Sequence, residues 1–490
     1  MITLRQAQAL VLGLALTLST SACRDHDVLS SAQVPVIAPP VSRPLPTPSA
    51  NLGTTQIAYA NWHRDISQAT SVLQLPALPQ VNSPELKQEL DEIYTLQTRL
   101  NAQIRERVLF WDAGGVLRWN EIARQLVTKT STPPPKAARV YAALSIAHYF
   151  TLQAVHEWQT HLARQSPAEL DARIRVIGKS PQRSCPSEEA ALAAAAQAVL
   201  QYLFPGEAYA IGQSALEHKE SQVWAGINVR SDLAAGDAIG RAIALKVIER
   251  ARKDGTDEAS AAWTASLPEF SGAWRSVINK PPLLPLWGRV QPWFMTSNAQ
   301  FRAPEHPPIE SLAFTEALDE LRQQSRTRTP EQLRIATYWA DGAGTSTPPG
   351  HWNQIAMEAI AQSPQKIDSL QAAKILALMN MAMMDAGIAV WETKYHYWLE
   401  RPVMADAQID MVVNLPNFPA YTSGHSGFSG AASEVLAYFL PAQADSFRAM
   451  AEEASISRVY GGIHYRFDCT EGLVQGRKVA ALAIAADQSN

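Results

Sequence analysis

Slid against itself by 236 residues, the distance from Glu189 to His425, the chain repeats itself. Ser187 falls on Ser423. Ala195-Ala196, Val199-Leu200, Tyr202 and Pro205 fall on identical residues ending at Pro441. Further on, Ser221 meets Ser457 and Gly226-Ile227 meets Gly462-Ile463. Arg230, Asp232, Gly236, Gly240 and Arg241 meet Arg466, Asp468, Gly472, Gly476 and Arg477. One residue differently, Ala154-Val155 meets Ala389-Val390. Ala-rich helices aligning by chance do not produce Arg, Asp and Gly matches at one offset. A repeat of this length restricts the fold to two copies of one unit.

The unit reads as helical. Ser83-Pro84-Glu85 is a helix start, and Leu86, Leu90, Ile93, Leu96 and Leu100 follow at helical spacing. Ala-rich stretches recur at 137–158, 188–203 and 233–251, then at 366–393, 425–439, 445–458 and 472–486. Alternation of Val, Ile and Tyr is scarce, so an all-α protein of two duplicated bundles is expected. The N-terminal bundle is placed at 56–275 and the C-terminal one at 331–490. A Pro- and Trp-rich connection over 276–330, with Trp287 and Trp293, is positioned to cover part of a site.

The copies differ in chemistry. Lys394 faces Gln159, Arg401 faces Ser166, His425 faces Glu189, Arg458 faces Gln222 and His464 faces Asn228. The second copy therefore carries three motif pieces that the first has lost: Lys394 with Arg401-Pro402, Ser423-Gly424-His425, and Arg458 with His464 and Asp468. Lys394, Arg401 and Arg458 supply positive charge, Arg through a planar fork of donors. Ser423 and the Gly424 backbone can approach an anion at a helix start. His425, just after that turn, is placed to move a proton, and Asp468 to fix the tautomer of His464.

These pieces, in this order and spacing, resemble the phosphatidic acid phosphatase type 2 and vanadium haloperoxidase superfamily, most closely from Asp341 to Arg477. Thr422 stands where that family usually has Pro. The resemblance implies that His464 bonds the central atom of an oxyanion, vanadate or phosphate. It implies that Asp341 pairs with the second cage arginine, and that Trp391 and Phe418 wall the pocket. The position of Phe418 is Phe in fungal chloroperoxidases and His in algal bromoperoxidases. Two enzyme readings share one cage. With vanadate as cofactor, peroxide oxidises halide. With a phosphate ester and no cofactor, His464 attacks phosphorus as in acid phosphatases. An exported oxyanion-binding protein is a third reading, and His425 argues against it, because pure binding needs no proton shuttle. Trp391, Asp341 and the degenerate first copy favour the haloperoxidase branch.

The N-terminus carries Arg5, an apolar stretch from Ala9 to Leu18, and small residues before Cys23. That is the pattern of an export signal over 1–22, with Cys23 a lipidation candidate despite Thr20 in place of the usual Leu. The mature protein is expected to be periplasmic and anchored by lipid to the outer membrane, or secreted. Residues 23–55 read as a Pro-rich disordered tether. No other membrane-grade segment is expected. Cys185 and Cys469 are permitted to pair in such a compartment. A net charge of −4 excludes a nucleic-acid partner as the default, so the partners expected are small molecules.

Overall fold

Why the repeat folds as it does is visible at its helix starts. In the computed structural model, which describes residues 58–71, 73–179 and 183–489, every element of size is a helix. The export signal, the tether and Cys23 lie outside the described residues. After α1 (Ala58–Ser71), the first copy runs α2 (Pro84–Thr98), α3 (Ala102–Asp112), α4 (Gly115–Lys129), α5 (Pro134–Leu162), α6 (Pro167–Leu170), α7 (Glu188–Leu203), α8 (Ala208–Trp224) and α9 (Arg230–Ala251). After α10 (Thr256–Ala259), the second runs α11 (Leu312–Thr327), α12 (Pro330–Tyr338), α13 (Thr347–Ala361), α14 (Ser369–Tyr397), α15 (Pro402–Ala405), α16 (Gly424–Phe439), α17 (Ala444–Tyr460) and α18 (Arg466–Gln488).

The correspondence extends to single groups. Ser187 and Ser423 cap α7 and α16, each accepting from the backbone N–H three residues on. Asp232 and Asp468 accept the backbone N–H of Val229 and Tyr465, both at 3.1 Å. Their carbonyls take the N–H of Ser187 and Ser423. Left-handed residues end α5 at Ala163 and α14 at Trp398. The two cis peptide bonds, Cys185–Pro186 and Tyr421–Thr422, stand at the same offset.

The repeat is longer than the sequence match. Trp111 donates to Glu217 at 3.1 Å and Trp339 donates to Glu453 at 2.9 Å. Arg230 pairs with Glu92, and Arg466 with Glu320. So α2 to α4 match α11 to α13, although shorter or longer turns have changed their sequence offset. Helix α11 falls inside the 276–330 stretch that the sequence reading assigned to the connection.

At the centre, α5 packs on α14. Both are 29 residues long and buried on nearly all sides. Asn380 donates to Ser145 across this contact at 2.9 Å, and the two occupy equivalent positions in their copies. Helix α14 corrects one expectation: it is long and apolar enough to cross a membrane, yet 94% of its most apolar window is buried in protein. It is a core helix.

The connection wraps the second copy. Trp287, Trp293 and Phe294 are buried. The backbone N–H groups of Trp293 and Phe294 donate to Asp385 at 2.8 and 2.7 Å, while burial pushes that carboxyl up to about 6. Leu283 O accepts from Tyr395 at 2.7 Å and from the Trp391 indole at 3.3 Å, which closes the connection over the C-terminal end of α14. Cys185 and Cys469 are both free and buried.

Glycine sets the closest crossings. A Cβ on Gly476 would lie 2.1 Å from the carbonyl oxygen of Gly427, and one on Gly240 would lie 2.1 Å from that of Ala191. Gly240→Ala and Gly476→Ala are each expected to destabilise the protein by at least roughly 1–3 kcal/mol through forced helix separation. Gly342→Ala, with nothing within 4 Å, is the neutral control. Urea melts in which all three variants share one midpoint would refute the need for glycine at the two crossings.

Candidate functional site

Lys394, Arg401, Ser423, Gly424, Arg458, His464 and Asp468 are all buried, and His425 is partly exposed. Five elements bring them together. Lys394 sits in the last turn of α14 and Arg401 caps α15. Ser423 to His425 start α16, and Arg458 lies in the last turn of α17. His464 and Asp468 flank the start of α18.

The cations are held by oxygen dipoles rather than by carboxylates. Lys394 Nζ donates to Pro419 O and Ala420 O, both at 2.8 Å. Arg401 donates to Phe418 O at 3.0 Å and Ile463 O at 2.8 Å. Arg458 donates to Ser457 Oγ at 2.9 Å and Ala336 O at 2.8 Å. Among the described residues none of the three makes an ion pair with a carboxylate. The Phe418 ring stands 5.0 Å from both Lys394 Nζ and the Arg401 guanidinium, and 5.0 Å from the Trp391 ring. Burial, then the charge of Arg401, drives the Lys394 pKa well below its ordinary value. Burial lowers Arg401 and Arg458 to about 10. Positive charge concentrated this way without a counter-ion has a large desolvation cost, which an anion would relieve.

His464 has its tautomer decided on both sides. A guanidinium has no acceptor, so at 2.9 Å Arg401 donates to His464 Nε2. Nδ1 therefore carries the proton and donates to Asp468 Oδ2 at 2.8 Å. Burial, then Arg401 and Lys394, keeps the ring neutral. The Nε2 lone pair thus points among the cations. Burial pushes the Asp468 carboxyl up to about 7, against the pull of Lys394 and Arg401.

His425 is also neutral, first through burial and then through Arg458. The backbone of Trp339 and Ala340 pulls its pKa the other way, and its Nε2 is buried without a partner. Arg401 Nη2 is a second buried atom without a partner. An unpartnered imidazole nitrogen and an unpartnered guanidinium donor beside three buried cations fit an oxyanion that carries an exchangeable proton. Vanadate and phosphate both have that chemistry.

Asp341 departs from expectation. It makes no ion pair with Arg458 among the described residues, and acts on it only through charge. Its Oδ2 is instead 3.0 Å from His351 Nδ1, and the His351 ring stacks on Trp339 at 4.6 Å. His351 had no sequence signal, because it belongs to no motif piece and Arg118 occupies the equivalent place in the first copy. Gln475 was missed too. It is buried, accepts from Thr422 and donates to Thr393 at 2.8 Å, so it ties the turn before α16 to α14.

Residues 373–490 match the sequence model of the PAP2 superfamily. Vanadium chloroperoxidase of Curvularia inaequalis is 29% identical over 31% of this chain and 32% of its own, so the chain spans about a third of that relative's length. The fold is that of solved bacterial vanadium-dependent enzymes. An iodoperoxidase structure matches with a TM-score of 0.62 at 24% identity, over 75% of this chain and 95% of its own. The holo form of a chloroperoxidase matches with a TM-score of 0.52 at 13% identity, over 73% and 93%.

If the buried cations await an anion, orthovanadate or inorganic phosphate should raise the melting temperature. The stabilisation expected is about 2.7 kcal/mol when ligand stands at 100 times its dissociation constant. Lys394→Ala and Arg401→Ala should remove most of that gain. A melting temperature indifferent to both anions would show that the cage does not bind them.

Proposed function

We propose that the protein is a vanadate-dependent haloperoxidase that oxidises halide with hydrogen peroxide. The observation that carries this is the triad of buried cations without carboxylate partners, arranged around a neutral His464 whose Nε2 lone pair faces them. Lys394, Arg401, Arg458, Ser423 and the Gly424 N–H would hold the oxygens of vanadate, and His464 Nε2 would bond its metal. When bound, vanadate supplies a Lewis acid that polarises peroxide.

The remaining work falls to this chain's own groups. Asp468 keeps the His464 proton on Nδ1, so Nε2 keeps its lone pair, which here accepts from Arg401 and would turn to vanadate. His425, neutral and with Nε2 buried and unpartnered, is suited to take a proton from peroxide and return it later. With an anion beside it, Lys394 would carry its charge in a dry setting, where that charge acts strongly on a nearby oxygen. Phe418 and Trp391 exclude water from one side of the cage. The relatives named for vanadium chemistry support this reading over phosphate ester hydrolysis, which the same cage could run with His464 as nucleophile. The N-terminal pattern supports export, with small molecules as partners and Cys23 as the lipid attachment.

The histidines separate experimentally. His464→Ala should lose anchoring and hold orthovanadate much more weakly. His425→Ala should still bind it, with turnover lower by on the order of 10²- to 10⁴-fold. Isothermal titration and a peroxide–bromide assay on a phenolic dye read the two effects. Equal loss of binding in both variants would remove His425 from proton transfer. Hydrolysis of an aryl phosphate by vanadate-free protein, without halogenation by the loaded protein, would replace the haloperoxidase reading by the phosphatase one.

A further inference from the structure

Where the second copy has its cation cage, the first has a cavity of about 790 Å³, within the range that holds small organic ligands. Gln159, Glu189, Gln222 and Asn228, the residues that face Lys394, His425, Arg458 and His464, all line it. Gln222 and Asn228 are only 4% and 3% exposed.

The hydrogen bonds decide which end of each side chain is left over. Gln159 Nε2 donates to Pro186 O at 2.9 Å, so its carbonyl oxygen is the free end. Ser221 Oγ donates to His218 O at 2.6 Å and therefore accepts from Gln222 Nε2 at 3.0 Å, which again leaves the amide oxygen. Asn228 is used at both ends, by Ser187 Oγ and Ser184 O. Glu189 Oε2 accepts from the Gly115 N–H at 2.9 Å and from His218 Nε2 at 2.7 Å. An indole N–H can only donate, so the Trp119 indole at 3.1 Å makes His218 Nδ1 an acceptor and His218 neutral. The carboxylate is thus held by two neutral donors. Among the described residues Glu189 Oε1, Gln159 Oε1 and Gln222 Oε1 have no partner.

Three acceptors, one of them charged, therefore line one cavity. Its walls include Val108, Trp111, Ile227 and Ile367. At the rim, exposed Lys179 and Lys366 are accompanied by Asp112 and Asp368, and half-buried Arg183 is turned to the backbone, donating to Gln159 O at 2.8 Å. Glu188 is already engaged by His156 at 3.0 Å and by Ser369. This is the inverse of the oxyanion cage. Its complement is a cation with several N–H donors. No group of three His, Cys, Asp or Glu side chains among the described residues could hold a metal ion, so an organic cation is indicated. We propose that this cavity is a second binding site, for a primary organic ammonium with an apolar body. Its three N–H donors match the three free oxygens, and its charge matches Glu189.

The test uses the full chain and three probes of similar shape: phenethylammonium, 2-phenylethanol and 3-phenylpropionate. Isothermal titration should show the ammonium binding about tenfold or more tightly than the alcohol, with the anion not binding. Glu189→Gln keeps an oxygen for Gly115 and His218 but turns an NH₂ towards the cavity, and should weaken the ammonium by about tenfold or more. Gln222→Leu should weaken it less. Thermal melts of both variants verify folding. Saturating orthovanadate should leave ammonium affinity unchanged. The proposal is overturned if the alcohol binds as tightly as the ammonium, if Glu189→Gln has no effect, if orthovanadate displaces the ammonium, or if no probe binds. None of these outcomes depends on the halide chemistry of the other copy.

Discussion

The packing of α5 on α14 is the constraint from which the rest follows. Each helix is buried on nearly all sides, so neither can let a polar group escape to water. Asn380 must find Ser145, and Asp385 must find the backbone of Trp293 and Phe294. Lys394 lies on the same helix and cannot extend its amine to solvent, so it leans on the carbonyls of Pro419 and Ala420. The buried cation at the centre of the candidate site is thus a product of the core. The connection over Trp391 and Tyr395 completes the seal.

Duplication then separated scaffold from chemistry. Asp232 and Asp468 survive in both copies because each ties a helix start to the turn before the neighbouring helix. Only in the second copy does that carboxylate also orient a histidine. In the first, Asp232 lies 3.3 Å from Arg164. The glycines at 240 and 476 survive because a methyl group would meet a facing carbonyl. Side chains that point into the cavities carry no such duty. They were free to differ, as cations and histidines in one copy and amides and a carboxylate in the other.

Much of this was legible in the sequence, because the repeat and the motif pieces are local. The four-residue step from His464 to Asp468 places both at one helix start, and Ser423-Gly424-His425 reads as another. Periodicity found the α2 stripe, where Leu86, Leu90 and Ile93 are buried. The match of α2–α4 to α11–α13 escaped, because turns of different length moved the register while Trp111–Glu217 and Trp339–Glu453 kept the geometry.

Sequence alone determined that the chain is helical and doubled, and that the cations, the small-residue turn and the two motif histidines belong to the second copy. These are properties of spacing, and spacing along a helix is a local quantity. Only the tertiary structure decided that Asp341 turns to His351 rather than pairing with Arg458. It also assigned the His464 proton to Nδ1, and showed that the apolar α14 is covered by protein rather than by lipid. Each depends on which groups from distant parts of the chain become neighbours. The desolvation and hydrogen-bond balance that settles them exists only once the core has closed.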